Sequence, residues 1–212
     1  MLIEHIGHAE FLITLESGFR IVTDPYDAST GYPVRPVEAD GLLISHQHHD
    51  HNAAENVSGH PQIIDFAGVH TLSPDISVTG IMADHDDAGG TKRGKTLLFL
   101  LESEKLRLVH LGDLGCLLDG DQLEALGSVD ILLIPVGGFY TIDAAQAMEV
   151  IRQLDPRVII PMHYKTPCIA EWPIAGVDDF IRRFPSDQVR TGGQALRITK
   201  EDLACHPRVV VL

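Results

Sequence analysis

Cysteine is scarce, with only Cys116, Cys168 and Cys205 in 212 residues. No two lie close together and no CxxC occurs. A disulfide framework and a cysteine zinc knuckle are therefore excluded, and a reducing compartment fits best. Basic residues are also few: 16 Lys and Arg stand against 30 Asp and Glu, for a formal charge of −14. A surface that neutralises many phosphates needs a basic footprint, so nucleic acid is not the expected partner. No apolar stretch reaches the roughly 18 residues of a membrane helix, and Met1-Leu2-Ile3-Glu4-His5 is not a basic segment leading into an apolar one. These absences predict a cytoplasmic protein with no membrane partner. Repeats, low-complexity tracts and long linkers are missing too. With 44% apolar and 22% charged residues, 1–212 is expected to form a single domain with a sizeable core.

The first third reads as short strands at Leu2 to Ile6, Glu10 to Leu15, Phe19 to Thr23 and Leu42 to Ile44, punctuated by Gly7 and Ser17-Gly18. Further strands are predicted at Gln62 to Asp65, Ile76 to Met82, Thr96 to Glu102, Leu106 to Leu111, Ile131 to Ile134 and Val158 to Ile160. Between the last two, Ala144, Ala147, Met148, Ile151 and Leu154 recur at helical spacing, with Asp143 as cap and Asp155-Pro156 as stop. Shorter helices are expected at Asn52 to Val57, at Asp121 to Leu126 before Gly127, and around Val177, Phe180, Ile181 and Phe184 before Pro185. Such a mixture suits an α/β layered sandwich of two facing sheets with helices outside.

Histidine is abundant, at twelve, and unevenly placed: His46, His48, His49 and His51 crowd the turn that follows an apolar strand. Imidazole and carboxylate are the usual ligands of zinc and its neighbours, and a turn leaving a strand aims alternate side chains at one point. A solvated His-rich loop is the plainer alternative. The order His-x-His-x-Asp-His after a strand favours metal binding.

At these residues the chain resembles the metallo-β-lactamase superfamily, whose leading motif is HxHxDH at a strand-to-helix turn. Later family positions have matches that each close a strand: His85 after Ile76 to Met82, Asp113 in Gly112-Asp113, and His163 after Val158 to Ile160. The resemblance implies a four-layer αββα sandwich with the site at one edge. It implies two divalent metal ions, with zinc foremost and manganese or iron compatible. One ion would be held by His46, His48 and His85, the other by Asp50, His51 and His163, with Asp113 reaching both and hydroxide between them. Gly7-His8-Ala9, Thr23-Asp24-Pro25, Gly112 to Gly115, Val136 to Gly138 and His163 to Thr166 look like segments of a narrower branch. That branch consists of metal-dependent hydrolases similar to L-ascorbate-6-phosphate lactonase.

Two cations lower the pKa of bound water from 15.7 toward about 7, so the expected reaction is hydrolysis of a small ester, lactone or phosphoester. Asp50 is the expected catalytic carboxylate, orienting the attacking hydroxide and accepting a proton. Thr141, Tyr164 and Lys165 are candidate donors to the substrate oxyanion. His8 and His110 are candidates for the pocket or for groups behind the ligands. Asp24 is balanced between a carboxylate that orients an imidazole and a plain turn aspartate before Pro25. His49 is expected to point away, and His5, His60, His70 and His206 to lie on the surface or in loops. The other readings are a non-catalytic metal-binding or sensing module, a nuclease, or a di-iron oxidoreductase. The last is disfavoured because His48 stands where the pattern His-x-Glu-x-Asp needs a carboxylate. The expected partner is a small-molecule substrate, with self-association open.

Overall fold

The computed structural model describes all of residues 1–212. A six-stranded sheet runs in the order Ala195–Arg197, Leu2–Gly7, Glu10–Thr14, Arg20–Thr23, Gly41–Leu43, Gln62–Ile64. An eight-stranded sheet runs Val189–Thr191, Val209–Val211, Val158–Met162, Ile131–Pro135, Leu106–His110, Lys95–Ser103, Ile76–Asp84, Gly68–Ser73. Both are mixed. In the first, the strands from Arg20–Thr23 outward to Gln62–Ile64 pair in parallel and the rest antiparallel. In the second, the strands from Leu106–His110 to Gly68–Ser73 pair antiparallel and the rest in parallel.

Strand alternation decides what each face buries. Leu97, Phe99 and Leu101 point inward with Ile131, Leu133, Val158 and Ile160, where they meet Ile3, Phe11, Ile13, Ile21 and Leu43 of the other sheet. Their neighbours Leu98, Leu100, Leu132, Ile134 and Ile159 point outward, into a second core under helices α1 (Gly120–Leu126), α2 (Ala144–Leu154) and α3 (Asp178–Ile181). Each such aliphatic side chain, fully buried, contributes about 1.5–3 kcal/mol. The strand at Leu97 to Leu101 is apolar at every position because it is covered on both sides. α2 carries its apolar residues on one face, and its cap is a full capping box: the Asp143 side chain accepts from Gln146 N–H while Gln146 reaches back to Asp143 N–H.

The outer face of the six-stranded sheet is covered differently. Leu12, Val22, Leu42 and Ile44 pack against Val37, Ala39 and Val57, residues of loops and of a two-stranded ribbon formed by Val37–Glu38 and Val57–Ser58. The segment Asn52 to Val57, expected as a helix, is one 3-10 turn, Ala54–Asn56, that runs straight into that ribbon. The β-branched Val57 serves the ribbon better than a helix. α3 is a single turn, shorter than the spacing of Val177 to Phe184 suggests.

Strand direction also places the site. Leu2–Gly7, Arg20–Thr23 and Gly41–Leu43 run one way in their sheet, as do Ile76–Asp84, Leu106–His110 and Val158–Met162 in theirs. The turns that follow them carry His8, Asp24, His46 to His51, His85, Asp113 and His163, and all meet at one edge of the sandwich. No helix is long and apolar enough to cross a membrane, and all three cysteines are free.

Candidate metal centre

Three sets of side chains bring their ligand atoms within 4.8 Å of one another: His46, His48 and His85; His8, Asp50, His51 and His163; and His46, His51 and Asp113. Every residue expected from the HxHxDH run and its downstream partners is therefore in one cluster, and His8, expected only as a pocket or supporting group, joins Asp50, His51 and His163. Asp113 is at the centre. Its Oδ1 lies 3.3 Å from His51 Nε2 and its Oδ2 lies 3.3 Å from both His85 Nε2 and His163 Nε2 and 3.9 Å from His46 Nε2. One carboxylate thus faces imidazoles of both sets. His48 is exposed, which opens the first set to solvent, whereas His51, His85 and His163 are buried.

The turns that deliver these groups are tightly built. Gly112 has φ 48°, and a Cβ there would lie 2.6 Å from Thr96 Oγ1 and 2.8 Å from Ser45 Cβ. Gly115 passes so close to the His85-Asp86 backbone that a Cβ would be 2.2 Å from Asp86 N. These glycines let the Asp113 loop lie against both histidine-bearing turns. His8, Asp24 and His163 themselves have φ of 54°, 41° and 51°. This conformation costs a residue with a side chain on the order of 1–2 kcal/mol. His8 O accepts the His163 N–H at 3.0 Å, which ties the first and last of these turns together.

Asp24 proves to be more than a turn residue. Fully buried, it accepts Ser45 N–H through Oδ1 at 2.7 Å, and through Oδ2 it accepts Ser45 Oγ–H at 2.7 Å and His51 Nδ1–H at 3.0 Å. With its hydroxyl proton committed to Asp24, Ser45 Oγ accepts from His46 Nδ1–H at 2.9 Å. A single carboxylate therefore keeps Nδ1 of two imidazoles protonated and turns Nε2 of both His46 and His51 toward the cluster, where His51 must shed its second proton before it can hold a cation. His110 holds a different post. Its Nδ1 accepts Gly112 N–H at 3.0 Å and its Nε2–H donates to Ala9 O at 3.1 Å, so this buried ring braces the Asp113 loop and is not part of the cluster. His8 is closer in: its Nε2 lies 3.2 Å from Asp50 Oδ2.

Electrostatics follow from this burial. Burial pushes His8 and His46 down to about 3, helped by the neighbouring imidazoles His163 and His51 respectively. Burial also opposes charge on Asp24, Asp50 and Asp113, yet all three carboxyls are held below their ordinary range, Asp24 and Asp50 by hydrogen bonding and charge from His51 and Asp113 by His163 first and His51 next. At His51 burial is outweighed by Asp113, Asp24 and Asp50, which hold it well above its usual value. Three carboxylates that favour ionisation, Asp24, Asp50 and Asp113, against one imidazole that favours its charged form, His51, leave this buried region with surplus negative charge. His46 Nε2, His51 Nε2, His85 Nδ1, both His163 nitrogens and Asp113 Oδ1 have no hydrogen-bond partner. Buried polar atoms are rarely left so. Cations satisfy both conditions, and the N and O donor set suits zinc, manganese or iron.

Above the cluster lies a cleft of about 500 Å³ lined by Gln47, His48, His49, Asp50, His85, Arg93, Asp113, Tyr140 and Trp172. Thr141, Tyr164 and Lys165, expected as substrate contacts, are not among the lining residues. Thr141 faces a smaller neighbouring cavity. Tyr164 is buried in the core beneath the helices, because the residue after His163 points the opposite way. Lys165 is exposed on a segment bridged to Gly176. Arg93, Tyr140 and Trp172 carry no motif, although Trp172 is the only tryptophan. His49 is exposed at the rim, 3.2 Å from Ser29 Oγ. His5 is neither exposed nor in a loop: it lies in the first strand, stacked on Phe11 at 4.7 Å. His70 lies in the edge strand against Phe66.

A model of the beta-lactamase superfamily domain matches residues 2–163. A UPF0173 metal-dependent hydrolase of Carboxydothermus hydrogenoformans is 31% identical, over 93% of this chain and 96% of its own length. A crystal structure from Thermotoga maritima, assigned as a Zn-dependent hydrolase of the metallo-β-lactamase superfamily, has a TM-score of 0.83 at 38% identity, covering 99% of this chain and 97% of that one. Igni18, a metallo hydrolase of Ignicoccus hospitalis, shares the fold at 20% identity, with a TM-score of 0.64 over 86% of this chain and 89% of that one.

Proposed function

This chain belongs to the UPF0173 metal-dependent hydrolase family of the beta-lactamase superfamily, and from that premise we propose that it hydrolyses a small ester, lactone or phosphoester at a two-metal centre. The observation that carries the reading is Asp113, one buried carboxylate within 3.3 Å of imidazoles from both ligand sets. His46, His48 and His85 would hold one cation and Asp50, His51 and His163 the other, with Asp113 shared. Bound divalent cations, zinc foremost, supply Lewis acidity toward the substrate oxygen and make water acidic enough to ionise near pH 7.

The chain's own groups set the rest. Asp24 and Ser45 keep His46 and His51 in the tautomer that presents Nε2. Asp50 has one oxygen 3.2 Å from His8 Nε2 and lines the cleft, so it is positioned to take a proton from the attacking water and pass it toward the leaving group. Exposed His48 leaves the approach to the cluster open, while the Tyr140 and Trp172 rings supply an apolar wall. A cleft of this size fits a small molecule. The surface charge gives no grip for a polymer of phosphates, and the free cysteines fit a cytoplasmic setting. Seven N and O donors arranged as two overlapping sets favour catalysis over a closed structural site, which takes four ligands around one ion.

Elemental analysis of protein purified without added metal, followed by a hydrolase panel on wild type, His48→Ala and Asp113→Asn, tests this reading. Two equivalents of divalent metal are expected in wild type, falling toward one in Asp113→Asn with turnover down at least about 100-fold. Full activity in either variant, or no bound metal, refutes it. Iron with oxygen consumption would point to the di-iron reading instead.

A further inference from the structure

Of the nine residues that line the cleft, Arg93 alone is Lys or Arg. Its guanidinium makes no ion pair and no side-chain hydrogen bond, although the protein carries 30 acidic residues. Two acids close to it in sequence are paired with lysines: Asp87 with Lys92 and Asp84 with Lys95. Arg93 is nevertheless not adrift. Its Cζ lies 5.6 Å from the Tyr140 ring centroid and 5.9 Å from that of Phe139, so the planar cation rests against two aromatic rings. Tyr140 in turn packs edge-on against Trp172, at 5.9 Å.

The loop that carries Arg93 is held as firmly. Asp86, buried and adjacent to His85, accepts four backbone N–H groups, from Ala88, Gly90, Lys92 and Arg93, at 2.7–2.9 Å. One residue pair therefore ties the arginine's position to that of a cluster histidine. A rim arginine that merely met solvent would need neither the aromatic rest nor this anchor. With its donors unspent and its plane fixed, the side chain matches what a carboxylate or phosphate presents.

We propose that Arg93 is a specificity residue that grips an anionic group, carboxylate or phosphate, on the part of the substrate remote from the bond being cut. The substrate is then a small anionic ester, lactone or phosphoester, with its charged end between Arg93 and the Tyr140 and Trp172 rings and its reacting end over Asp113. The inference rests on the hydrolase reading above for the reacting end, but not for the grip itself.

Trp172, the chain's sole tryptophan, lines the same cleft, so its fluorescence reports occupancy without any turnover. Wild-type protein, Arg93→Ala and Arg93→Lys, each as purified and after zinc loading, are titrated at constant ionic strength with inorganic phosphate and with acetate. The expected result is a saturable change in wild type and a dissociation constant raised at least about tenfold in Arg93→Ala, with Arg93→Lys between, since lysine keeps the charge and loses the fork. Whichever anion binds more tightly identifies the group. In parallel, kcat/KM is measured for γ-butyrolactone and its 5-carboxylate, and the ratio of anionic to neutral substrate should fall about tenfold or more in Arg93→Ala. Identical titrations in wild type and Arg93→Ala, or an unchanged ratio, overturn the inference while leaving hydrolysis standing. Arg93-dependent anion binding with no hydrolase activity on any substrate supports the grip and removes the hydrolase reading.

Discussion

Replacing Asp24 by Asn changes one atom and should disable two imidazoles. The wild-type carboxylate only accepts: Oδ1 from Ser45 N–H, Oδ2 from Ser45 Oγ–H and His51 Nδ1–H. Asparagine can keep its oxygen opposite Ser45 N–H only by turning its NH2 toward His51 and Ser45. His51 must then accept at Nδ1, which moves its proton to Nε2, the atom 3.3 Å from Asp113. Ser45, now accepting from the amide, donates to His46 Nδ1 and moves that ring's proton to Nε2 as well. The opposite amide orientation sets NH2 against a buried N–H, which costs about 1–3 kcal/mol. Losing an outer partner typically weakens metal binding 10–100-fold, and two rings are affected here, so we expect about 100-fold, or about 2.8 kcal/mol. Ser45→Ala takes the partner from one ring, His46, and leaves the bond from His51 to Asp24, so it should cost about tenfold. Competition with a chelator of known zinc affinity measures both variants. Wild-type affinity for both equivalents in Asp24→Asn would refute the tautomer argument.

Glu10 gives a pH prediction. Burial raises its carboxyl to about 8 from 4.5, against a hydrogen bond from the Tyr26 backbone and with the Asp24 charge adding to the rise. The folded protein therefore holds this proton more tightly than the unfolded chain. The stability it contributes is present below about 4.5 and lost as pH climbs toward about 8. Urea unfolding of metal-free Glu10→Gln should gain on wild type by about 4 kcal/mol between pH 5 and pH 9; parallel pH profiles would show that Glu10 stays ionised. Gly115→Ala would bring its Cβ 2.3 Å from His85 C and 2.2 Å from Asp86 N, both backbone. A loss of about 3 kcal/mol or more is expected, with weaker zinc binding through His85. Gly120→Ala, with nothing within 4 Å, is the control and should be near neutral.

Much of the layering was legible because burial on two faces leaves runs such as Leu97 to Leu101, and because α2 has both a helical apolar stripe and a capping aspartate. The cluster was legible for a related reason: His46, His85, Asp113 and His163 each come soon after a strand, so an apolar run followed by His or Asp marks the place. What escaped lacks such contrast. Gly68–Ser73 is an exposed edge strand with polar residues and no alternation to read. Val189–Thr191, Ala195–Arg197 and Val209–Val211 are only three residues each, and their pairing partners lie far away in sequence. The substrate wall was harder still. Arg93, Tyr140 and Trp172 converge from three separate loops, and nothing local links them, whereas Tyr164 and Lys165, expected as donors to the substrate oxyanion, do not line the cleft. Asp24 could be read either way until Ser45 and His51 were found on it.

The strand directions noted above have a mechanical consequence. His8, Asp24 and the His46 to His51 turn belong to one sheet, and His85, Asp113 and His163 to the other, so the cluster sits on the seam between two slabs whose shared interior is apolar and whose polar links are few. Cations held there would act as a rivet at one end of that seam. Removing them should free the sheets to splay at that end while each keeps its own ladder. Amide exchange would then quicken in the turns at the site edge more than in the middle of the strands, and uniform quickening would argue against such a hinge.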